Sequence, residues 1–156
     1  MSKKNELIRT FGNISKNDVK IAGGKGASLG EMTQVGIFVP PGFVVLASAF
    51  EKFLEAADLN VEIDAILDAV DHKEIHKVEK ASEKIQALIL QVDMPQDIVA
   101  KVKKKFKKLD AKYVAVRSSA TVEDSASAAW AGQLESYLNT TEENLLENVK
   151  DYIIKD

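Results

Sequence analysis

The end of one predicted buried strand carries functional groups that suit an anion. Residues 113–116 form a short apolar run of the kind found in buried strands, and Arg117, Ser118 and Ser119 follow it directly. Arginine offers a planar fork of hydrogen-bond donors, and each serine adds a hydroxyl group. A cation and two hydroxyl groups at the end of a buried strand indicate an anion site.

A second cation, Lys25, lies in a glycine-rich stretch far away in the sequence. It follows Gly23 and Gly24 and precedes an apolar stripe at helical spacing. We expect a glycine-rich turn that leads into a short helix, which ends near Gly36. The free N–H groups and the positive dipole at a helix N-terminus suit an anion. A structural turn with a solvated lysine explains the same local pattern, so both interpretations stay open here.

The glycine-rich stretch matches neither of two well-known phosphate-binding loops. The P-loop pattern requires a glycine where Val19 stands and a serine or threonine where Gly26 stands. The dinucleotide-binding pattern requires a glycine at the position of Leu29. The local pattern therefore identifies no known loop, although Lys25 remains a candidate for contact with phosphate.

A long segment rich in alanine, serine and acidic residues follows Ser119. The apolar–polar alternation of a strand resumes only at Leu134. Loops of this kind inside a domain are usually either functional or disordered. We expect this segment to close over the phosphates of a nucleotide, with Arg117 beneath it and Lys25 as the second cation.

The composition excludes several classes of function. The chain has 156 residues, a net charge of −3 and no cysteine. These values argue against bulk electrostatic binding to nucleic acid, and they exclude disulfides, cysteine-based zinc sites and thiol catalysis. The sequence has no signal-peptide pattern and no apolar stretch long enough to span a bilayer. We therefore expect a cytoplasmic protein with neither nucleic-acid nor membrane partners.

Two further patterns have both a functional and a structural explanation. His72 and His76 stand four residues apart, the spacing of two metal ligands on a helix, but no third ligand is evident. The lysines between residues 101 and 108 form either a nucleic-acid patch or a solvated helix face. We favour the solvated face, because no aromatic residues interleave with the lysines. We predict no metal site.

The remaining pattern predicts an α/β (α+β) domain with a small mixed sheet, packed helices and a helical insert at about residues 58–110. Two helix starts are predicted by capping-box spacings, Ser48 with Glu51 and Thr140 with Glu143. The strands are expected near residues 43–47, 113–117 and 133–138.

Three segments together resemble the N-terminal nucleotide-binding domain of the phosphoenolpyruvate synthase and pyruvate phosphate dikinase family. They are VKIAGGKGASLGEM at residues 19–32, VPPGF at residues 39–43, and VRSSATVED at residues 116–124, which continues to Ala131-Gly132-Gln133. Their order, with a helical insert between the second and the third, also matches the family pattern. The resemblance covers nearly the whole chain, so residues 1–156 are expected to form a single lobe of this domain.

The resemblance implies a fold of ATP-grasp type, in which ATP binds between two lobes and this chain is the N-terminal one. The family's phosphate-contacting lysine and arginine fall on Lys25 and Arg117, and the loop that covers the phosphates ends at Gly132-Gln133. Ser119 and Thr121 are candidate hydroxyl donors to phosphate. The parent enzyme is expected to transfer a phosphoryl group from ATP to a histidine in another domain and then to pyruvate.

The resemblance also assigns several functions to parts of the family that lie outside this chain. The magnesium ligands belong to the other lobe of the ATP site, and the phosphorylated histidine belongs to a separate domain. We therefore assign no catalytic residue and no metal ligand, and we expect that the chain alone does not turn over ATP. The expected partners are ATP and the remaining domains of the parent enzyme. The final phosphoryl acceptor stays open among pyruvate, an antibiotic hydroxyl and a glucan hydroxyl.

Two other interpretations remain open at this point. In the first, the chain is a stand-alone, non-catalytic module that binds a nucleotide or phosphate in a regulatory role. In the second, residues 61–109 form a helical interaction module that binds a protein partner through its lysine face. The second predicts that charge reversal at Lys104 and Lys108 abolishes function, whereas Arg117→Ala does not.

Overall fold

The computed structural model describes residues 6–119, residue 121 and residues 136–155, with residues 153–155 described as backbone only. This part of the chain is mostly helical, with two small antiparallel sheets. The strands are β1 (Ile8–Thr10), β2 (Phe43–Val45), β3 (Val114–Arg117) and β4 (Ser136–Thr140). The helices are α1 (Val19–Gln34), α2 (Ala47–Ala56), α3 (Asn60–Asp68), α4 (Ile75–Gln91), α5 (Gln96–Lys108) and α6 (Leu145–Lys155). Two 3₁₀ turns, Phe11–Asn13 and Lys16–Asp18, lie between β1 and α1.

The strands pair in two separate two-stranded sheets. β1 lies antiparallel to β2, with Ile8 opposite Val45, and β3 lies antiparallel to β4, with Arg117 opposite Ser136. The strand positions of β2 and β3 confirm the sequence prediction, and β4 overlaps the third predicted strand. The prediction of one small mixed sheet is wrong for the described residues. Runs of three to five residues do not specify a pairing partner, and β1 has too little apolar character to be recognised as a strand.

The main hydrophobic core contains residues from α2 to α6 and from both sheets. Phe53 of α2 has an exposed fraction of 0%. α5 contributes Ile98, Val102 and Phe106, which form the apolar face that helical spacing predicts. The lysines of α5 lie outside this face, and Lys107 Nζ lies 3.4 Å from Glu142 Oε1. The lysine-rich side of α5 is therefore largely solvated in the described structure.

A smaller core holds α1 against the segment that follows β1. Ile14, Ala22 and Leu46 are buried together in this cluster. A Cβ atom added to Gly30 would lie 2.4 Å from the carbonyl oxygen of Ile14, so the two backbones are in direct contact. Gln34 Nε2 also donates to Ile14 O at 2.6 Å. These contacts fix the position of α1 along its length.

The C-terminus of α1 closes as the sequence predicts. Gly36 has a φ of 81°, in the left-handed region that glycine adopts without strain. The Ile37 N–H donates to Met32 O at 2.9 Å, and the Gly36 N–H donates to Thr33 O at 3.3 Å. This pair of hydrogen bonds defines a Schellman motif, which satisfies carbonyl groups at the helix end.

Neither predicted capping box forms. Ser48 Oγ donates to Glu6 O at 2.6 Å, and α2 has no side-chain cap at its N-terminus. Thr140 is fully buried in β4, and α6 starts later than expected, after a turn in which the Thr141 N–H donates to Asn144 Oδ1 at 2.7 Å. The hydroxyl groups of Ser48 and Thr140 therefore do not cap these helices, and the partners of such groups are not evident from local spacing.

The predicted helical insert corresponds to α3, α4 and α5, which all lie within residues 58–110. α6 is tied to the end of α4, since Lys150 Nζ donates to Leu90 O at 2.9 Å and to Val92 O at 2.5 Å. A lysine at this position also favours the helix dipole of α4. None of the helices in the described ranges is long and apolar enough to cross a membrane. The assignment of residues 1–156 to a single lobe stays a prediction.

Candidate functional site

α1 is interrupted at Gly23, two residues before Lys25. Gly23 has a φ of 71° and a ψ of 169°, so two helical segments meet at a kink. A φ in this range is strained for residues with a Cβ atom. Residues 24–34 therefore form a second helical segment with Gly23 in the N-cap position. The predicted glycine-rich turn that leads into a helix is confirmed.

The hydroxyl group of Ser119 joins the two sides of this kink. Ser119 Oγ donates to Ala22 O at 2.7 Å and accepts a hydrogen bond from the Gly26 N–H at 2.8 Å. Ala22 closes the first helical segment, and Gly26 supplies the third N–H group of the second. An N-cap serine normally accepts from this same N–H group of its own helix. Here Gly23 holds the N-cap position without a side chain, and Ser119 supplies the missing hydroxyl from another part of the chain.

The backbones of Gly23 and Ser119 are also in direct contact. A Cβ atom added to Gly23 would lie 1.7 Å from Ser119 O and 2.4 Å from Ser119 C. No side chain fits in this space, so glycine is required here by the close approach as well as by its φ. Through this contact, the chain at the end of β3 packs directly against the kink of α1.

Lys25 and Arg117 are each two residues from this contact. Two residues span at most about 7 Å, so the Cα atom of each lies within that distance of Gly23 or Ser119, respectively. Lys25 is partly buried, and Arg117 is exposed as the last residue of β3. The structure thus brings together the two cation-bearing segments that the sequence separates by about ninety residues.

The two segments that meet at this contact carry groups that suit an anion. The second segment of α1 begins beside Lys25, and the N–H groups of a helix N-terminus carry partial positive charge. Arg117 is the last residue of the adjoining strand β3. A lysine, an arginine and a helix N-terminus are elements that other proteins use to hold phosphate groups, and the contact at Ser119 brings the segments that carry them together.

Of the other predicted site residues, the structure describes Thr121. Thr121 is exposed in a turn, two residues after Ser119. Ser118 is buried, with 2% of its surface exposed. Gly132 and Gln133 lie outside the described residues.

A metal site is not found in the described structure. Among residues 6–119, 121 and 136–155, no group of three or more histidine, cysteine, aspartate or glutamate side chains is placed to hold a metal ion. His72 and His76 are exposed, and His76 Nδ1 lies 3.4 Å from Glu79 Oε2. His76 lies in the first turn of α4 and His72 in the turn before it, so the two histidines do not share a helix.

The structural role of Ser119 was not predicted from the sequence, although one signal was available. The helical segment that begins at Gly23-Gly24 has no serine, threonine, aspartate or asparagine in its N-cap position to bond its first N–H groups. The N-terminal N–H groups of such a helix need a partner from elsewhere. The sequence does not say which of the many distant hydroxyl groups supplies it.

The carboxylate of Asp18 closes the 3₁₀ turn Lys16–Asp18, which directly precedes α1. Asp18 Oδ2 accepts from the Ser15 N–H at 2.8 Å and from Ser15 Oγ at 3.0 Å, and Arg9 NH1 donates to Asp18 Oδ1 at 3.3 Å. The backbone hydrogen bond from Ser15 is the largest cause that lowers the pKa of Asp18, and the charge of Arg9 adds to it. A lowered pKa in the folded state means that this carboxylate stabilises the fold only while it is ionised.

We expect Asp18→Asn to destabilise the protein at neutral pH by about 1–2 kcal/mol, because hydrogen bonds to a charged group are lost. The difference in unfolding free energy from the wild type is expected to begin to shrink below the unfolded-state pKa of about 3.9 and to be lost as the pH falls through the lowered folded-state pKa of Asp18. Urea unfolding at neutral pH and at about pH 3 measures both values. Asp64→Asn on the exposed side of α3 is the matched control. If the difference in unfolding free energy between Asp18→Asn and the wild type is equal at the two pH values, the ionised carboxylate does not stabilise the fold.

Comparison with known proteins places the chain in a family. Residues 19–153 match the family model described as "Pyruvate phosphate dikinase, AMP/ATP-binding domain". The match covers most of the chain and includes α1, β3 and the contact between them. The chain belongs to this family.

Curated relatives agree with this assignment. The chain is 38% identical over 154 residues to a probable phosphoenolpyruvate synthase of Methanothermobacter thermautotrophicus, a match that covers 95% of the chain and 22% of the relative. It is 42% identical over 156 residues to a probable phosphoenolpyruvate synthase of Methanocaldococcus jannaschii, covering 96% of the chain and 13% of the relative. It is 35% identical over 183 residues to the phosphoenolpyruvate synthase of Pyrococcus furiosus, a match that covers 92% of the chain and 22% of the relative. The chain thus spans less than a quarter of the length of these relatives.

Proposed function

We propose that this chain is an ATP-binding lobe of a phosphotransferase of the phosphoenolpyruvate synthase and pyruvate phosphate dikinase type. In this proposal the side chains of Lys25 and Arg117 hold the nucleotide phosphates. Thr121 adds a hydroxyl donor, and Gly132-Gln133 end the loop that covers the phosphates. The family assignment of residues 19–153 supports the choice of nucleotide.

The contact between Gly23 and Ser119 is the observation that carries the proposal. It joins the segment of Lys25 to the segment of Arg117 by two hydrogen bonds and a backbone contact. A planar guanidinium group and a lysine point charge complement a polyphosphate, since each neutralises oxygens that carry charge. Fixed cations also stabilise the charge that develops during phosphoryl transfer, where positioning and electrostatics provide most of the catalysis.

The complete reaction is proposed for the parent enzyme rather than for this chain. There, a phosphoryl group passes from ATP to a histidine of another domain and then to pyruvate. Magnesium, when bound, neutralises phosphate charge, and we assign its ligands to the other lobe of the ATP site. We therefore expect no ATP turnover by this chain alone. ATP hydrolysis that persists in both Lys25→Ala and Arg117→Ala would contradict this assignment.

Removal of either cation is expected to weaken ATP binding about ten- to hundredfold, because each contributes a charge-assisted hydrogen bond to phosphate. Isothermal titration calorimetry of the 156-residue chain with ATP measures the Kd for the wild type, Lys25→Ala and Arg117→Ala. Lys20→Ala is the matched control, since Lys20 is exposed and lies on α1 before the kink at Gly23.

The expected pattern is weaker binding in both site variants and an unchanged Kd in Lys20→Ala. Equal weakening in all three variants would indicate a non-specific attraction between the positive charge of the protein and ATP. Unchanged binding in Lys25→Ala and Arg117→Ala, or no saturable binding by the wild type at millimolar ATP, would contradict the proposed function.

A further inference from the structure

The hydroxyl group of Ser119 is already committed within the protein. Its single proton is donated to Ala22 O at 2.7 Å, and one of its lone pairs accepts from the Gly26 N–H at 2.8 Å. A hydroxyl group has one proton to donate. In this arrangement Ser119 has no proton left to give to a phosphate oxygen, unless its bond to Ala22 breaks.

We propose that Ser119 is a positioning residue, which holds Lys25 in place relative to Arg117 instead of contacting the nucleotide. This inference rests on the proposed function, because it assumes that these two cations bind the phosphates. It replaces direct phosphate contact by Ser119, which the sequence suggested, with an indirect role through the kink of α1.

The need for such a residue follows from the glycines that precede Lys25. Gly23 and Gly24 are adjacent, and glycine has more backbone freedom than any other residue. Gly30 and Gln34 hold the later part of the second segment of α1 against Ile14, so the part that the glycines leave free to move is its first turn, which carries Lys25. Ser119 restrains both sides of the kink at once, because it bonds to Ala22 before the glycines and to Gly26 after them.

The same hydroxyl group also fixes the end of β3, the strand whose last residue is Arg117. Ser119 lies two residues after Arg117, so its bonds to α1 also fix where β3 ends. A site that is ordered before the ligand arrives does not lose affinity to ordering costs during binding. Ser119 therefore acts on ATP affinity by keeping both cations at a set separation.

Ser119→Ala tests this role, and Ser48→Ala is its matched control. Both serines donate a long-range hydrogen bond to a backbone carbonyl, Ser48 to Glu6 O at 2.6 Å, but Ser48 lies outside the candidate site. In Ser119→Ala, we expect faster hydrogen exchange at the Gly26 amide and a Kd for ATP that rises about tenfold. In Ser48→Ala, neither quantity is expected to change.

A double-mutant cycle separates positioning from a general loss of stability. If Ser119 acts through Lys25, Ser119→Ala weakens ATP binding less in a Lys25→Ala background, by about threefold at most. Should Ser119→Ala not fold, Ser119→Cys provides the same comparison, because a thiol fills the site but forms only weak hydrogen bonds.

The outcomes distinguish this inference from the function on which it rests. A wild-type chain that does not bind ATP overturns the proposed function and the inference together. A wild-type chain that binds ATP, with an unchanged Kd in Ser119→Ala, overturns the inference alone. A tenfold loss that is equally large in the Lys25→Ala background also overturns it, because Ser119 would then act independently of Lys25.

Discussion

Gly23→Ala is expected to destabilise the protein by about 3 kcal/mol or more and to abolish ATP binding. Two effects add at this position. The φ of 71° is unfavourable for alanine, and the new Cβ atom would lie 1.7 Å from Ser119 O. Because the obstacle is backbone, it cannot rotate away, and the end of β3 has to move from α1.

Urea unfolding and ATP titration of Gly23→Ala measure both effects. Gly12→Ala is the matched control, since nothing lies within 4 Å of a Cβ atom added to Gly12. We expect that control to stay within about 1 kcal/mol of the wild type. A Gly23→Ala protein with wild-type stability and wild-type ATP affinity would show that the contact with Ser119 does not organise the site.

Phe53→Ala is expected to cost about 3–5 kcal/mol, the range for truncation of a fully buried aromatic side chain. Phe53 of α2 has an exposed fraction of 0% and belongs to the main core, which also contains residues of α4, α5 and α6. The loss combines the transfer free energy of the removed atoms with the cavity that remains. The total free energy of unfolding of a domain is only about 5–15 kcal/mol, so this single change removes a large part of it.

Phe38→Ala provides the comparison for Phe53→Ala, because it removes the same atoms from a side chain that is 90% exposed. We expect Phe38→Ala to change the free energy of unfolding by less than about 0.5 kcal/mol. Chemical denaturation of both variants measures the difference. Similar losses in the two variants would mean that Phe53 is not part of the core.

Features that depend on neighbours in the sequence were the ones that could be predicted. The buried face of α5, with Ile98, Val102 and Phe106, follows from helical spacing, and the structure confirms it. The end of α1 follows from Gly36, whose φ of 81° closes the helix. The turn before Lys25 follows from adjacent glycines. In each case the physical cause lies within a few residues of its effect.

Features that depend on distant partners could not be predicted. The pairing of β1 with β2 requires a strand of three residues whose partner is not encoded locally. Ser48 fits a capping box by spacing, yet its hydroxyl group donates to Glu6 O. The two hydrogen bonds of Ser119, donated to Ala22 O and accepted from the Gly26 N–H, each span more than ninety residues. The sequence showed that Lys25 and Arg117 are candidate cations for the site. It did not show that Ser119 joins the segments that carry them.

An ATP titration of the 156-residue chain, followed by backbone amide chemical shifts in NMR spectra, tests the central claim most directly. We predict that the largest shifts cluster at residues 23–28 and 117–121, the two segments that meet at Ser119. Shifts that cluster on the lysine face of α5, or the absence of any saturable shift in residues 23–28 and 117–121, would contradict an ATP site built on Lys25 and Arg117.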